Sequence, residues 1–185
     1  MKRGVFQRSQ FLIMPELIPV LNKNDIDNMV ARVARRISSD YQDQELVLIG
    51  ILNGAFVFLS DLVRHLTIPV KLDFIRVSSY GASDSSSGNI RLTKEIEIDV
   101  NNKHVLLVED IVDTGLTLSY LIDYLKTFNP KTVKICALIN KHERRHTNIK
   151  IHYSCHEVAE GFLVGYGLDY NEDYRYLAGI YHLKL

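Results

Sequence analysis

The segment Val105-Leu-Leu-Val-Glu-Asp-Ile-Val-Asp-Thr-Gly-Leu-Thr117 constrains this chain more than any other stretch. A short apolar run ending at Val108 has the form of a strand buried on both faces of a sheet. It delivers two adjacent carboxylates, Glu109 and Asp110, to its C-terminal end, and Asp113 follows three residues on. Thr114, Gly115 and Thr117 then open a helix. Burying carboxylates without partners is costly, so this place must offer cations, hydroxyl donors or solvent. The Thr-Gly-x-Thr turn puts backbone N–H groups and two hydroxyls at a helix N-terminus, a setting for phosphate. Carboxylates beside a phosphate cradle suit a ligand with both hydroxyls and phosphate: a sugar phosphate, with magnesium. An acidic cluster before a helix is otherwise a cap with solvated acids. The strand directly before this one and the Thr-Gly-x-Thr directly after it set it apart. It is neither a Walker A loop nor a dinucleotide fingerprint, because both glycine patterns are missing from the sequence.

The rest of the chain alternates strands and helices. Ile26, Met29, Val30, Val33 and Ile37 predict a helix over 24–39, with Asn24 and Asp27 as its capping box. Residues 46–52 form a continuous apolar run, as a doubly buried strand would. Asn53-Gly54 then turns into a helix over 55–66, with Phe56, Leu59, Leu62, Val63 and Leu66 inward. Strands are expected at 70–78 and 90–100, the second alternating and half-exposed. Between them the Ser/Gly-rich stretch 81–88 has no apolar anchor and should be mobile. A helix over 116–128 turns Leu118, Leu121, Ile122 and Leu125 inward and ends at Asn129-Pro130. A strand follows at 132–139, and short apolar runs at 162–166 and 177–183. The pattern predicts one α/β domain over 1–185, a mainly parallel twisted sheet flanked by helices. Ligands of such sheets bind beyond the carboxyl ends of the strands, where Asn53-Gly54, residues 109–117 and Lys141 should meet.

Composition narrows the partners. Lys plus Arg and Asp plus Glu both number 22, so there is no global basic field for nucleic acid. No stretch approaches the roughly 20 apolar residues that span a bilayer. The apolar N-terminal run is broken by Pro15 and Glu16 and lacks a small-residue cleavage site, so no secretory leader is expected. Cys136 and Cys155 each stand alone in strand-like runs and read as buried thiols of a cytoplasmic protein. His142 and His146 have the spacing of a zinc pair, but the surrounding Lys-His-Glu-Arg-Arg-His supplies no third ligand and reads as a solvated basic loop.

The 105–117 segment resembles the phosphoribosyl-pyrophosphate motif of type I phosphoribosyltransferases, and its Asp before Thr-Gly resembles the hypoxanthine-guanine phosphoribosyltransferases. The likeness spreads over roughly residues 45–180, with the motifs in the family's order. It implies purine salvage: transfer of a 5-phosphoribosyl group from phosphoribosyl pyrophosphate to hypoxanthine or guanine, with Mg2+. It also implies a type I phosphoribosyltransferase fold with a small hood formed by the terminal segments, and a homo-oligomer, dimer or tetramer.

The resemblance assigns roles residue by residue. Glu109 and Asp110 match the acidic pair on the ribose hydroxyls and magnesium. Asp113 matches the residue beside purine N7, the catalytic group for proton movement. Asp113, Thr114, Gly115 and Thr117 match the loop around the 5-phosphate. Ser79 and Tyr80 match the Ser-Tyr pair of the family's flexible loop, near 79–90 here. That loop excludes water from a cation-like sugar. Lys141 matches the lysine that donates to the 6-oxo group. Phe162-Leu-Val-Gly-Tyr-Gly-Leu-Asp169 resembles the base-binding segment, with Phe162 stacking on the base, the Leu163 backbone reading its edge and Asp169 holding a second magnesium ion. Arg175 matches the residue that reaches the pyrophosphate. Asn53 and Gly54 stand in the pyrophosphate loop, where the family often has a cis peptide. Many members carry Lys where this chain has Asn53, so that cationic charge is missing here. An alternative is a regulatory protein of the same fold that senses phosphoribosyl pyrophosphate; such proteins commonly lose the Asp that stands here as Asp113.

Overall fold

The computed structural model describes residues 15–80, 89–142, 145 and 147–184, with the backbone alone at 79, 80 and 89. The Ser/Gly-rich stretch 81–88, the first 14 residues and His146 lie outside the described residues.

Six strands form the main sheet: β2 (Leu46–Leu52), β3 (Val70–Tyr80), β4 (Asn89–Lys94), β5 (His104–Val112), β6 (Thr132–Lys141) and β7 (Tyr153–Val158). Their order is β4-β3-β2-β5-β6-β7, and every pairing is parallel except β3 with β4. Strand β1 (Glu16–Leu21), β8 (Leu163–Val164) and β9 (Ile180–Lys184) make a separate antiparallel sheet from the two chain ends, which is the expected hood.

Alternation along the strands splits the core. Leu46, Leu48, Leu106, Val108, Cys136 and Leu138 face one side, where they pack with helices α1 (Lys23–Asp40) and α2 (Phe56–His65). Val47, Ile49, Val105, Leu107, Ile135 and Ala137 face the other side and meet helix α3 (Leu116–Lys126). Both faces are therefore apolar, which is why these strands read as unbroken hydrophobic runs. Among the described residues no helix is long and apolar enough to cross a membrane.

Several boundaries differ from the sequence expectation. The capping box of α1 is Asn22 with Asp25, which exchange side-chain and backbone bonds of 3.0 and 3.1 Å. Asp27, expected in that role, meets His65 Nε2 at 3.1 Å. In α2 the buried face is Phe58, Leu59 and Leu62, while Phe56 is left exposed. The alternating run 90–100 is strand only as far as Lys94. Beyond it the Asp73 carboxylate accepts from the Glu97 and Ile98 amides at 2.6 and 3.1 Å, which replaces ladder bonds with a side-chain cap. Strand β5 runs on to Val112, so Glu109 and Asp110 lie within it rather than at its end. Pairing with β6 holds it there, through Ile111 to Ile139 and Val112 to Asn140.

From β2 the chain crosses to β3 on one side, and from β5 to β6 on the other. The strand order therefore reverses between β2 and β5, and the crevice at their carboxyl ends is the favoured place for a ligand.

Candidate active site

A cleft of about 330 Å³ opens at that crevice. Its walls come from Asn53 and Gly54 after β2, from residues 109–115 and Thr117 at the end of β5, and from Asp169 and Arg175 in the hood. A larger hollow of about 690 Å³ lies at the opposite ends of the strands, lined by Tyr41, Glu45, Val70 and Lys71 among others. It contains none of the acidic and phosphate-cradle motif, so the smaller cleft is the better candidate.

The Leu52–Asn53 peptide is cis. Gly54 follows it into a space no side chain could share. A Cβ there would stand 1.6 Å from Asp110 Oδ2, and a Cβ on Gly167 would stand 2.3 Å from the Gly54 carbonyl oxygen. The loop at 53–54 is thus wedged between the acidic strand and the hood.

Glu109 and Asp110 are both buried. Burial, together with the neighbouring Asp110 carboxylate, pushes the Glu109 carboxyl well above the usual range. Two adjacent buried carboxylates in this state fit a site that takes up hydroxyls or a cation. Asp113 sits just past β5. Its Oδ1 is buried with no hydrogen-bond partner among the described residues, and its Oδ2 lies 3.9 Å from Lys141 Nζ. Lys141 is the last residue of β6, inside the strand rather than beyond it, and is buried. A carboxylate oxygen accepts hydrogen bonds and an ammonium donates them, so this pair offers both kinds of partner.

Gly115 has φ +82° and caps α3, and a Cβ on it would meet Thr147 Oγ1 at 2.1 Å. The left-handed turn favours glycine, and it starts α3 at the cleft, whose walls include Thr114, Gly115 and Thr117. First-turn amides have no intrahelical acceptor, which makes this end an anion seat.

In the hood, Gly165, Tyr166 and Gly167 all have positive φ, of 98°, 51° and 99°. This turn hydrogen-bonds to Leu177 and Arg175 backbone oxygens, and the Tyr166 hydroxyl donates to Asp61 Oδ2 at 2.5 Å. The hood is so tied to α2, and Asp169 and Arg175 are carried into the cleft. Arg175 pairs with Asp169 at 2.8 Å and Glu172 at 3.2 Å, and donates to the Gly167 carbonyl at 2.8 Å. Phe162 is half exposed and meets Tyr170 edge-on at 5.5 Å. Leu163 is buried in β8.

Most expected site residues therefore converge on the one cleft, with Lys141 at its margin through Asp113. Phe162 and Leu163 do not line the cleft. Ser79 and Tyr80 end β3, and their side chains lie outside the described residues. Sequence reasoning missed Thr147, which donates to the Thr114 carbonyl at 3.3 Å, and Gly167 against Gly54. It also took Arg145 for a solvated charge. Arg145 is half-buried and bonded to the ends of β5 and β6. No local periodicity marks these residues; only the glycine repeat at 165 and 167 hints at one of them. Among the described residues no group of three or more His, Cys, Asp or Glu stands ready for a metal, and His142 instead meets Glu157.

A mainly parallel sheet whose acidic pair, Thr-Gly-x-Thr helix start and hood meet at one cleft has the arrangement of a phosphoribosyl transferase. The family model for the phosphoribosyl transferase domain matches residues 20–171, and the chain belongs to that family. Within it the chain groups with the hypoxanthine-guanine phosphoribosyltransferases. It is 44% identical over 166 residues to the hypoxanthine-guanine phosphoribosyltransferase of Aquifex aeolicus, covering 89% of this chain and 93% of that one. The Mycobacterium bovis enzyme of the same name is 41% identical over 167 residues, with 87% and 83% covered. A crystal structure of a Staphylococcus aureus hypoxanthine phosphoribosyltransferase superposes with a TM-score of 0.86 at 36% identity, covering 90% of each chain.

Proposed function

We propose that this chain is a purine salvage enzyme that transfers 5-phosphoribosyl from phosphoribosyl pyrophosphate to hypoxanthine or guanine, giving IMP or GMP and pyrophosphate. The observation that carries this reading is Asp113, whose Oδ1 has no partner among the described residues and whose Oδ2 faces Lys141, beside the Thr-Gly-x-Thr turn. Lys donates and cannot accept, so Lys141 suits a 6-oxo group and disfavours a 6-amino group. The first amides of α3, with Thr114 and Thr117, hold the 5-phosphate. Glu109 and Asp110 hold the ribose hydroxyls, and Arg175 with the loop backbone at 53–54 holds the pyrophosphate. Phe162 covers the face of the base, the Leu163 backbone meets its edge, and Ser79 and Tyr80 belong to the loop that closes over the site.

In the reaction the bond from ribose C1 to the pyrophosphate oxygen breaks, and its electron pair leaves with pyrophosphate. Purine N9 forms the new bond to C1, and Asp113 takes the proton given up by the base. Arg175 meets the charge that develops on the leaving group, and fixed donors do so without reorganisation.

Magnesium fits the donor set, because such a cation keeps several waters and needs only one or two carboxylates besides substrate phosphates. Glu109 and Asp110 would hold one ion and Asp169 a second, and when bound they would supply positive charge beside the pyrophosphate. A cytoplasmic location and assembly into dimers or tetramers belong to the same reading, and sedimentation tests the second.

The direct test is a spectrophotometric assay with magnesium, phosphoribosyl pyrophosphate and hypoxanthine, guanine, xanthine or adenine in turn, with Asp113→Asn as control. Nucleotide formed from hypoxanthine or guanine is the expected result. Binding of phosphoribosyl pyrophosphate without turnover of any base would instead assign a sensing role.

A further inference from the structure

Arg145 has no part in the reaction as described, yet its guanidinium is anchored at the two strand ends that carry Asp113 and Lys141. Its Nε donates to the Asp113 carbonyl at 3.1 Å, and one terminal nitrogen donates to the Val112 carbonyl at 3.3 Å. The same nitrogen lies 3.0 Å from the Lys141 carbonyl and 2.6 Å from Asn140 Oδ1, so its two hydrogens are shared among three acceptors. Asn140 is buried, and its Nδ2 donates to the two Glu157 oxygens at 3.0 and 2.9 Å. Glu157 belongs to β7, so one cation spans the ends of β5 and β6 and is braced from the strand beyond.

The position of this clamp matters. The ladder between β5 and β6 ends at the pair Val112–Asn140. Asp113, just past β5, and Lys141, the last residue of β6, come next, and no ladder bond between β5 and β6 fixes their separation. Arg145 bonds to the carbonyls of both. A guanidinium is flat and offers donors in a fixed fork, so it can hold several carbonyls at set angles. An ammonium is a point charge and cannot.

We propose that Arg145, braced by Asn140 and Glu157, is a positioning residue for base recognition, setting the separation of Asp113 and Lys141. This rests on the assignment of those two residues to the purine. The phosphate cradle has a separate tether, since Thr147 holds the Thr114 carbonyl. Loss of the clamp therefore weakens the base more than it weakens phosphoribosyl pyrophosphate.

The test compares the full-length protein with Arg145→Lys and Asn140→Ala. Hypoxanthine and phosphoribosyl pyrophosphate are varied separately, with melting curves and amide hydrogen exchange over residues 112–118. Arg145→Lys should raise the hypoxanthine KM about tenfold and the phosphoribosyl pyrophosphate KM by less than about threefold, as loss of a charged hydrogen bond implies. Asn140→Ala should move the same constant in the same direction by less, and exchange over 112–118 should quicken in both variants. A role in stability alone would lower Tm and kcat and leave both KM values in place, which overturns the proposal. So does an unchanged hypoxanthine KM in folded Arg145→Lys. Where that variant does not fold, Asn140→Ala decides by the same criterion. Where the wild-type protein turns over no 6-oxopurine, the functional reading fails, and hydrogen exchange decides the clamp by itself: quicker exchange supports it and unchanged exchange overturns it.

Discussion

Gly54 lies against Asp110 so closely that a methyl group in place of its hydrogen would stand 1.6 Å from Asp110 Oδ2. Gly54 and the Asp110 carboxylate therefore share one surface of the cleft. Gly54→Ala should drive the loop and Asp110 apart, at a cost of about 1–3 kcal/mol in stability. A displacement of this size should lower kcat/KM for phosphoribosyl pyrophosphate by about a hundredfold. Steady-state kinetics beside a melting curve separates the two effects.

Asp113→Asn keeps the size of the side chain and removes its capacity to take a proton. Turnover should fall by about 10²- to 10⁴-fold, with the melting temperature held, because the group is half-buried and one of its oxygens has no partner to lose among the described residues. Wild-type kcat in a folded Asp113→Asn protein would end the proton-transfer role.

Lys141→Ala should act on the base alone. The ammonium is buried 3.9 Å from Asp113, and loss of one charged hydrogen bond to the purine should cut kcat/KM for hypoxanthine by about 10- to 100-fold. The KM for phosphoribosyl pyrophosphate should stay near its starting value. Equal effects on both substrates would mean that Lys141 shapes the whole cleft rather than reading the 6-oxo group.

His152 ties stability to acid pH. Its Nδ1 accepts from the Ile135 amide at 3.2 Å, so the folded protein needs it neutral there. Burial, and then Lys134 and Lys150, lower its pKa below the ordinary histidine value. A lowered folded pKa means that the unfolded chain binds the proton more readily. The stabilisation is complete above about pH 6.5, the unfolded value, and is lost as pH falls through the interval below it. Tm should drop between pH 7 and pH 5, and His152→Asn should flatten that drop. An equally steep acid limb in the variant would place the effect elsewhere; His104, also lowered by burial, is the next residue to test.

Neither cysteine should react in the folded state. Burial pushes Cys155 up to about 12 and Cys136 well above its ordinary value. Only the thiolate is a good nucleophile. A thiol reagent at pH 8 should label the two residues on unfolding and neither before, as mass spectrometry would show.

The two-sided burial of β2, β5 and β6 was legible in the sequence because a strand covered on both faces must be apolar at every position. The inward face of α1 was legible for a similar reason, since Ile26, Val30, Val33 and Ile37 recur at helical spacing. Strand β7 was hinted at only by the run around Cys155, and β1 not at all. The burial of β1 carries no clear period, and β7, at the sheet edge, alternates only from Tyr153 to His156. The end of the 90–100 strand was equally hidden. Its alternation continues through Ile96 and Ile98, which pack on the core, while Asp73, far back in the chain, takes the amides that a ladder would have used.

The acidic pair, Asp113 and the Thr-Gly-x-Thr turn could be found from sequence because they are contiguous: a strand, a loop and a helix start follow from neighbouring residues alone. Tertiary structure decided what stands opposite them. The 3.9 Å between Asp113 and Lys141, the seat of Gly54 against Asp110, the delivery of Asp169 and Arg175 by the hood, and the Arg145 clamp all join residues far apart in the chain. Such distances are set by ladder register and by the packing of one element on another. Periodicity records which face a residue turns inward, and it carries no information about which distant residue will meet it there.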